Sequence, residues 1–285
     1  MSDQTRVVIV TGASSGIGLA TAVAAARSGL TTIATVRDPD RASGLRDAAT
    51  SANVAMDIRA LDVTQPDSVT RCVDSVLRDY DRLDALVNNA GAGHVGTIEN
   101  ESIDAVRAVM DVNFFGVVAM TKAALPYLRA NAGRIVTVSS VGGVVGQPFN
   151  EAYCAAKFAI EGFMESLAPV AAQVGVRVSV VEPGAVASRF IANAEVDQDA
   201  LLAEAGAYAA SLRAYLDRTM GQFSTGAQPP EDVATVILDL LATDQPAFRV
   251  QTSAWSTQFV GTKLRDTTGQ AVVGMTSSWV APVRS

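Results

Sequence analysis

Short β-branched and apolar runs alternate with longer stretches whose apolar positions recur at helical spacing, from residue 7 to about residue 181. Val7–Val10, Thr31–Val36, Val54–Leu61, Ala85–Val87, Arg134–Ser139 and Val176–Val181 read as strands. Val7–Val10 is apolar throughout rather than alternating, the pattern of a strand covered on both faces of a parallel sheet. Ile17–Ser28, Pro66–Asp79, Ser102–Ala130 and Glu151–Val174 read as helices, with Gly29 suited to close the first. Pro126 lacks the N–H its helix needs and predicts a kink or loosening there. The repetition predicts six parallel strands in a doubly wound, three-layer α/β/α sheet forming one domain over 1–285. Such sheets bind ligands at the carboxyl ends of their strands.

The regular alternation stops near Pro183. Residues 183–230 open with Pro183-Gly184, pass through an Ala-rich stretch and close at Pro229-Pro230, so an insert at the carboxyl edge of the sheet is expected to act as a substrate lid, the alternative being a plain helical excursion on the surface. Residues 243–285 carry Trp255, Phe259 and Trp279 among polar residues and predict no particular role.

A chain of 285 residues with 49% hydrophobic content and mean hydropathy +0.24 can bury one large core. Its formal charge of −7 disfavours a nucleic-acid binder, since that affinity rests on clustered Lys and Arg. Two distant cysteines and one histidine predict neither disulfide nor metal site. A polar start without a basic and then apolar leader, and no run of about 18 apolar residues, predict a cytoplasmic protein without membrane insertion.

Gly12, Gly16 and Gly18, with Ser14, Ser15 and Ile17, lie between the first strand and first helix. Glycines there let backbone N–H groups and the helix dipole approach a pyrophosphate, which predicts a Rossmann-type dinucleotide site. Val36 and Arg37 end the second strand, where a carboxylate would favour NAD(H) by holding the ribose hydroxyls. Arg37 can instead contact a phosphate, so NADP(H) is preferred, with NAD(H) as an alternative if Arg37 pairs with Asp38 or Asp40. Ser14 or Ser15 can add donors.

Tyr153 and Lys157 are four residues apart on one predicted helix and therefore neighbours on its face. An ammonium beside a phenol favours the phenolate, and the pair can exchange a proton with a carbonyl or alcohol oxygen. Ser140, just past the fifth strand, can donate to that oxygen. His94 can line a substrate pocket or sit in solvent. Phe149, Phe190, Tyr215 and Phe223 can form an apolar wall or ordinary core.

Thr11-Gly12-x3-Gly16-x-Gly18, Asn88-Asn89-Ala90-Gly91, Asn113, Ser140, Tyr153-x3-Lys157 and Pro183-Gly184 follow one another in the order and spacing of the short-chain dehydrogenase/reductase family, which the chain resembles over roughly residues 5 to 190. Thr35-Val36-Arg37-Asp38 and the stretch from Ser140 to Gly162 are similar to the subgroup of estradiol 17β-dehydrogenase type 1 and the related retinol dehydrogenases, whose members prefer NADP(H). The resemblance implies that Asn113 holds a water connecting Lys157 to solvent. It implies that Asp62 and Val63 flank the adenine, that Asn89, Ala90 and Gly91 line the cofactor together with Tyr153 and Lys157, and that Pro183, Gly184 and Val186 lie against the nicotinamide. Ser188 stands where the family often has Thr, and its hydroxyl can still serve the carboxamide. Ala156 replaces a frequent Ser, and Glu182 is an uncommon neighbour for Pro183.

These readings predict an NADP(H)-dependent oxidoreductase interconverting a carbonyl and an alcohol on an apolar, steroid- or retinoid-sized substrate. Reduction of an acyl-thioester or polyketide carbonyl is an alternative that needs a basic docking patch, for which Arg189 and Arg213 are the only hints. A non-catalytic NADP(H) sensor is a third, disfavoured by the intact Tyr153 and Lys157. Apolar Phe114, Phe115, Phe158, Phe163 and Met164 exceed what one sheet face needs and predict a homodimer or homotetramer.

Overall fold

In a computed structural model, the structure describes residues 5–188 and 198–265 together with Met275 and Ser278. Seven strands are all parallel: β1 (Val7–Val10), β2 (Thr31–Val36), β3 (Asp57–Ala60), β4 (Ala85–Asn88), β5 (Arg134–Val138), β6 (Arg177–Glu182) and β7 (Arg249–Gln251). Their spatial order is β3-β2-β1-β4-β5-β6-β7, so the order reverses between β1 and β4 and opens a crevice at their carboxyl ends.

Helix α1 (Gly16–Arg27), α2 (Ser43–Ala52) and α9 (Pro230–Ala242) cover one face of this sheet. Their apolar residues, among them Ala22, Leu45 and Ile237, pack on Val8, Val10 and Val136. The opposite face is covered by α3 (Pro66–Tyr80), α5 (Gly116–Ala130) and α6 (Glu151–Ala172), with Val73, Met120 and Ile160 against Ile9, Leu86 and Ile135. Residues one apart in β1 thus serve opposite cores, which is why the strand carries no polar position.

Several expectations change in detail. The seventh strand was not foreseen, because Arg249-Val250-Gln251 is too short and polar to register as an apolar run. The third begins at Asp57 rather than Val54, at the sheet edge where burial is incomplete. The sixth helix ends at Ala172, and Gly175 at φ +81 turns the chain into β6. The stretch 102–130 is helical from Ile103 to Ala130 but in three parts: α4 (Ile103–Met110), a π-helical turn (Asp111–Phe115) and α5. Pro126 lies within α5, which runs on to Ala130. By length and composition Ile103–Ala130 could cross a bilayer, contrary to the expectation of no such run. In the fold it is the crossover from β4 to β5, burying Val117, Met120, Ala124 and Leu128 against the sheet.

The segment after β6 contains α7 (Gln198–Glu204) and α8 (Ala209–Gly226). Leu212, Tyr215 and Leu216 of α8 form a third apolar cluster with Val141, Val144, Val145 and Phe149, which follow β5, and with Phe259 of α10 (Ala254–Leu264). The insert's two ends are tied together: Gln228 N–H donates to the Ala185 carbonyl at 3.0 Å and Ala187 N–H to the Gln228 carbonyl at 2.9 Å. Arg189, Phe190 and Trp279 lie outside the described residues.

Candidate active site

The glycine turn is closed in by the residues predicted to line it. Gly12, at φ +67, faces the Ala90 backbone, where an added Cβ would come 2.8 Å from Ala90 Cα. At Gly16, φ +56, the same atom would meet Ser188 Cβ at 2.9 Å, and at Gly18 it would collide with the Gly12 carbonyl and the Asn89 side chain. Asn89 Nδ2 donates to the carbonyls of Thr11 and Gly12 at 2.8 and 3.1 Å, and the Asn89 and Ala90 N–H groups both donate to Thr11 Oγ1 at 2.9 Å. Thr11, which heads the glycine motif but was given no role there, therefore fastens the end of β1 to the end of β4.

Ser15 precedes α1 in extended conformation, no side chain caps the helix, and no acidic residue stands in its first turn. Its N–H groups and dipole remain available to an anion, and the glycines leave no Cβ in the way. These residues fit a dinucleotide pyrophosphate.

Leu61 N–H donates to the Val36 carbonyl at 2.8 Å, which brings Arg37 and Asp62 to one edge of the crevice. Arg37 is exposed and forms no ion pair among the described residues, while Asp38 Oδ1 accepts from Asp40 N–H at 3.0 Å and caps its own turn. The surface pairing of Arg37 with Asp38 or Asp40 does not form. Asp62 Oδ1 accepts from Thr64 N–H and Oγ1 at 3.0 and 2.7 Å, and Val63 packs against Gly116.

Beyond β5, Ser140 is extended and its Oγ accepts from Gly142 N–H at 3.0 Å. Tyr153, on α6, hydrogen-bonds the Ser140 hydroxyl. Burial pushes the Tyr153 phenol up to about 12, an effect the Ser140 bond opposes. The Lys157 ammonium lies over the Tyr153 ring, 5.8 Å from its centroid, and burial rather than that charge decides the direction of the shift. Lys157, 5% exposed, donates through Nζ to the Val138 carbonyl at 3.0 Å. Burial brings it down to about 8, with Glu161 acting in the opposite sense.

Asn113 is fully buried in the π-helical turn. Its Nδ2 donates to the Ala92 and Val109 carbonyls at 3.0 Å each, and its Oδ1 accepts from Ala92 N–H at 3.3 Å. A Cβ at Gly91 would lie 2.9 Å from Asn113 Oδ1 and 3.7 Å from Lys157 Nζ, so all three meet at one point. The extra residue of the π turn aims Asn113 inward. Pro183 accepts from Val141 N–H at 3.0 Å, and Gly184 lies under Trp255 of α10, whose ring would be 2.9 Å from an added Cβ.

His94 Nε2 is 2.7 Å from Glu101 Oε1, so the histidine is paired rather than free in solvent. Phe149 and Tyr215 meet with ring centroids 5.7 Å apart, and Asn150 Nδ2 donates to the Tyr215 hydroxyl at 2.8 Å. Val186 is buried where the insert leaves the sheet. Sequence reasoning missed Glu101, Glu161, Arg249 and Trp255. Among these, only the placement of Glu161 four residues after Lys157 was open to inspection. No cluster of metal-ligating side chains occurs among the described residues.

Residues 6–199 match the family model described as short chain dehydrogenase. The chain is 38% identical to bovine (Bos taurus) retinol dehydrogenase 8, across 96% of this chain and 89% of that protein. It is 40% identical to rat (Rattus norvegicus) estradiol 17-beta-dehydrogenase 1, across 85% of this chain and 72% of the other. Among solved structures, a short chain dehydrogenase/reductase from Burkholderia phymatum in complex with NAD superposes with TM-score 0.81 at 25% identity, covering 95% of this chain and 96% of that one. A metagenomic short-chain oxidoreductase in complex with NADP gives TM-score 0.68 at 28% identity, covering 86% and 96%.

Proposed function

The chain belongs to the short-chain dehydrogenase family, and from that premise we propose that it interconverts a ketone or aldehyde and its alcohol on an apolar, steroid- or retinoid-sized substrate, using NADP(H). That it is an oxidoreductase acting on CH–OH groups with a nicotinamide cofactor follows from the family and its neighbours.

The observation that carries the reading is the meeting of Ser140, Tyr153 and Lys157 at the carboxyl end of β5, beside the crevice that the glycine turn opens. When bound, the nicotinamide supplies or accepts the hydride. The protein's part is to place the carbonyl and handle one proton. The Tyr153 phenol, kept protonated by burial, gives its proton to the developing alkoxide, and in the reverse direction takes it back. Ser140 donates a hydrogen bond to the same oxygen and polarises it. Lys157 holds positive charge beside the phenol and stabilises the phenolate left behind. Asn113, meeting Lys157 at Gly91, positions the proton path behind it.

The exposed Arg37 supports NADP(H) over NAD(H), because a guanidinium makes charge-assisted bonds to a 2′-phosphate. The apolar cluster of Phe149, Leu212, Tyr215 and Leu216 supports an apolar substrate held under a lid that includes α7 and α8. Exposed Phe115, Val170 and Val174 support association into a homodimer or homotetramer.

Titration with NADPH and NADH, followed by loss of nicotinamide absorbance against steroid, retinoid and simple aromatic carbonyls, tests the reading. Turnover of an apolar carbonyl with NADPH is expected; tight cofactor binding without turnover of any class would overturn it.

A further inference from the structure

Behind Lys157, away from the crevice, lies a buried polar cluster that the proposed chemistry does not use. Glu161, one helical turn on from Lys157, is 5% exposed, and Glu182 at the end of β6 is fully buried. Arg249 of β7 reaches both: its Nη2 is 3.1 Å from Glu161 Oε2 and its Nε is 2.7 Å from Glu182 Oε1. It also bonds the exposed Glu165 at 2.9 Å, while Gln251 Nε2 donates to Glu182 Oε2 at 2.8 Å. Ser139, next to Ser140, completes the wall. A Cβ on Gly143 would lie 2.6 Å from Ser139 Oγ, 3.0 Å from Glu161 Cγ and 3.1 Å from the Lys157 carbonyl, so these groups are packed to contact.

Burying two carboxylates against a single guanidinium is costly unless a second cation answers them. The other buried cation next to Glu161 is Lys157, one helical turn before it on the same side of α6. Arg249 pairs with Glu161 through Oε2 and with Glu182 through Oε1, which leaves Glu161 Oε1 outside the ion pair among the described residues.

We propose that Glu161, held by Arg249 and backed by Glu182, is a positioning residue that keeps the buried Lys157 ammonium charged beside Tyr153. This deepens, and in its effect on turnover rests on, the roles given above to Tyr153 and Lys157. The charged groups facing the pair are Glu165 on the same helix, Glu182 on β6 and Arg249 on β7. The π-helical turn that also packs on α6 brings the uncharged Asn113 inward and leaves Asp111 in solvent. Glu161 raises the affinity of Lys157 for its proton, against the desolvation that lowers it. In turn, burial pushes Glu182 up to about 7, with Glu161 adding to the rise.

The chain has three lysines, Lys122, Lys157 and Lys263, so ¹³Cε-lysine NMR can follow Lys157 in the cofactor-free protein. Its titration midpoint is expected to fall by at least about half a pH unit in Glu161→Gln, to recover most of that in Glu161→Asp, and to stay in place in Glu165→Gln. Glu182→Gln removes charge from farther along the cluster, is expected to shift it in the same direction, and stands in if Glu161→Gln does not fold. The alkaline limb of kcat for carbonyl reduction should move with the midpoint while the KM for cofactor holds. An unmoved midpoint in both Gln variants, or an equal shift in Glu165→Gln, overturns the proposal. Because that titration needs neither cofactor nor turnover, it can fail while Tyr153 remains the acid, and it can succeed if Tyr153 is shown not to be.

Discussion

Lys157 ties helix α6 to strand β5, its ammonium donating to the Val138 carbonyl at 3.0 Å, two residues before Ser140. The helix that carries Tyr153 and the strand end that carries Ser140 are thereby held in one register. In the proposed chemistry the three side chains work as a unit, so that removing one removes most of what the others contribute. Replacing Tyr153 with Phe is expected to cut turnover at least about a hundredfold with cofactor binding kept, and adding Lys157→Met should cost little more. Steady-state kinetics of the two single variants and the double variant check this; losses that multiply would show the residues working independently.

Arg37 is exposed, makes no ion pair among the described residues, and stands one residue past Val36 at the crevice edge. A charge-assisted hydrogen bond to phosphate contributes about 1.5–3 kcal/mol, roughly a ten- to hundredfold change in affinity. Arg37→Ser is therefore expected to weaken NADPH binding by about that factor and to leave NADH binding nearly unchanged. Fluorescence titration with both cofactors decides it, and equal weakening of the two would remove the 2′-phosphate from the account.

Glu182 holds its proton more tightly in the folded chain than in the unfolded one, rising from 4.5 to about 7 chiefly through burial. Such a group makes folding less favourable as pH climbs through that window, because the folded chain must give up a proton the unfolded chain has already lost. The whole effect is at most about 3 kcal/mol. Glu182→Gln removes it, so the melting temperature of the variant relative to the natural chain should rise by several degrees between about pH 5 and about pH 8. Calorimetry at both pH values is the measurement, and a difference that stays flat or falls would mean that Glu182 is ionised throughout.

Most of the sheet and the tight packing of the glycine turn could be read from the chain. Val7–Val10 declares itself because a strand buried on both faces leaves no polar position to obscure the run, and Thr31–Val36 because its β-branched residues, threonines included, favour a strand and are largely buried. The glycine turn is legible because only residues without Cβ fit where Ala90, Asn89 and Ser188 close in. What escaped depended on partners distant in sequence. Arg249-Val250-Gln251 has no strand signal of its own and becomes one by pairing with Val180–Glu182. The π turn at Asn113 is invisible to a helical period that continues on both sides of it. Glu161 looked like an ordinary charged helix position until Glu182 and Arg249, 21 and 88 residues away, were brought beside it.

Arg249 lies on the edge strand β7, yet it carries the guanidinium that both interior carboxylates face. Without that guanidinium, closing β6 on α6 would leave Glu182 with no cation beside it, which favours its protonated form. Strands β1 to β4, on the other side of the sheet, make no ion pair with β7 among the described residues. The part of the crevice beside the glycine turn thus closes without any group from β7, whereas the part that brings Ser140, Tyr153 and Lys157 together packs against a strand whose arginine it needs.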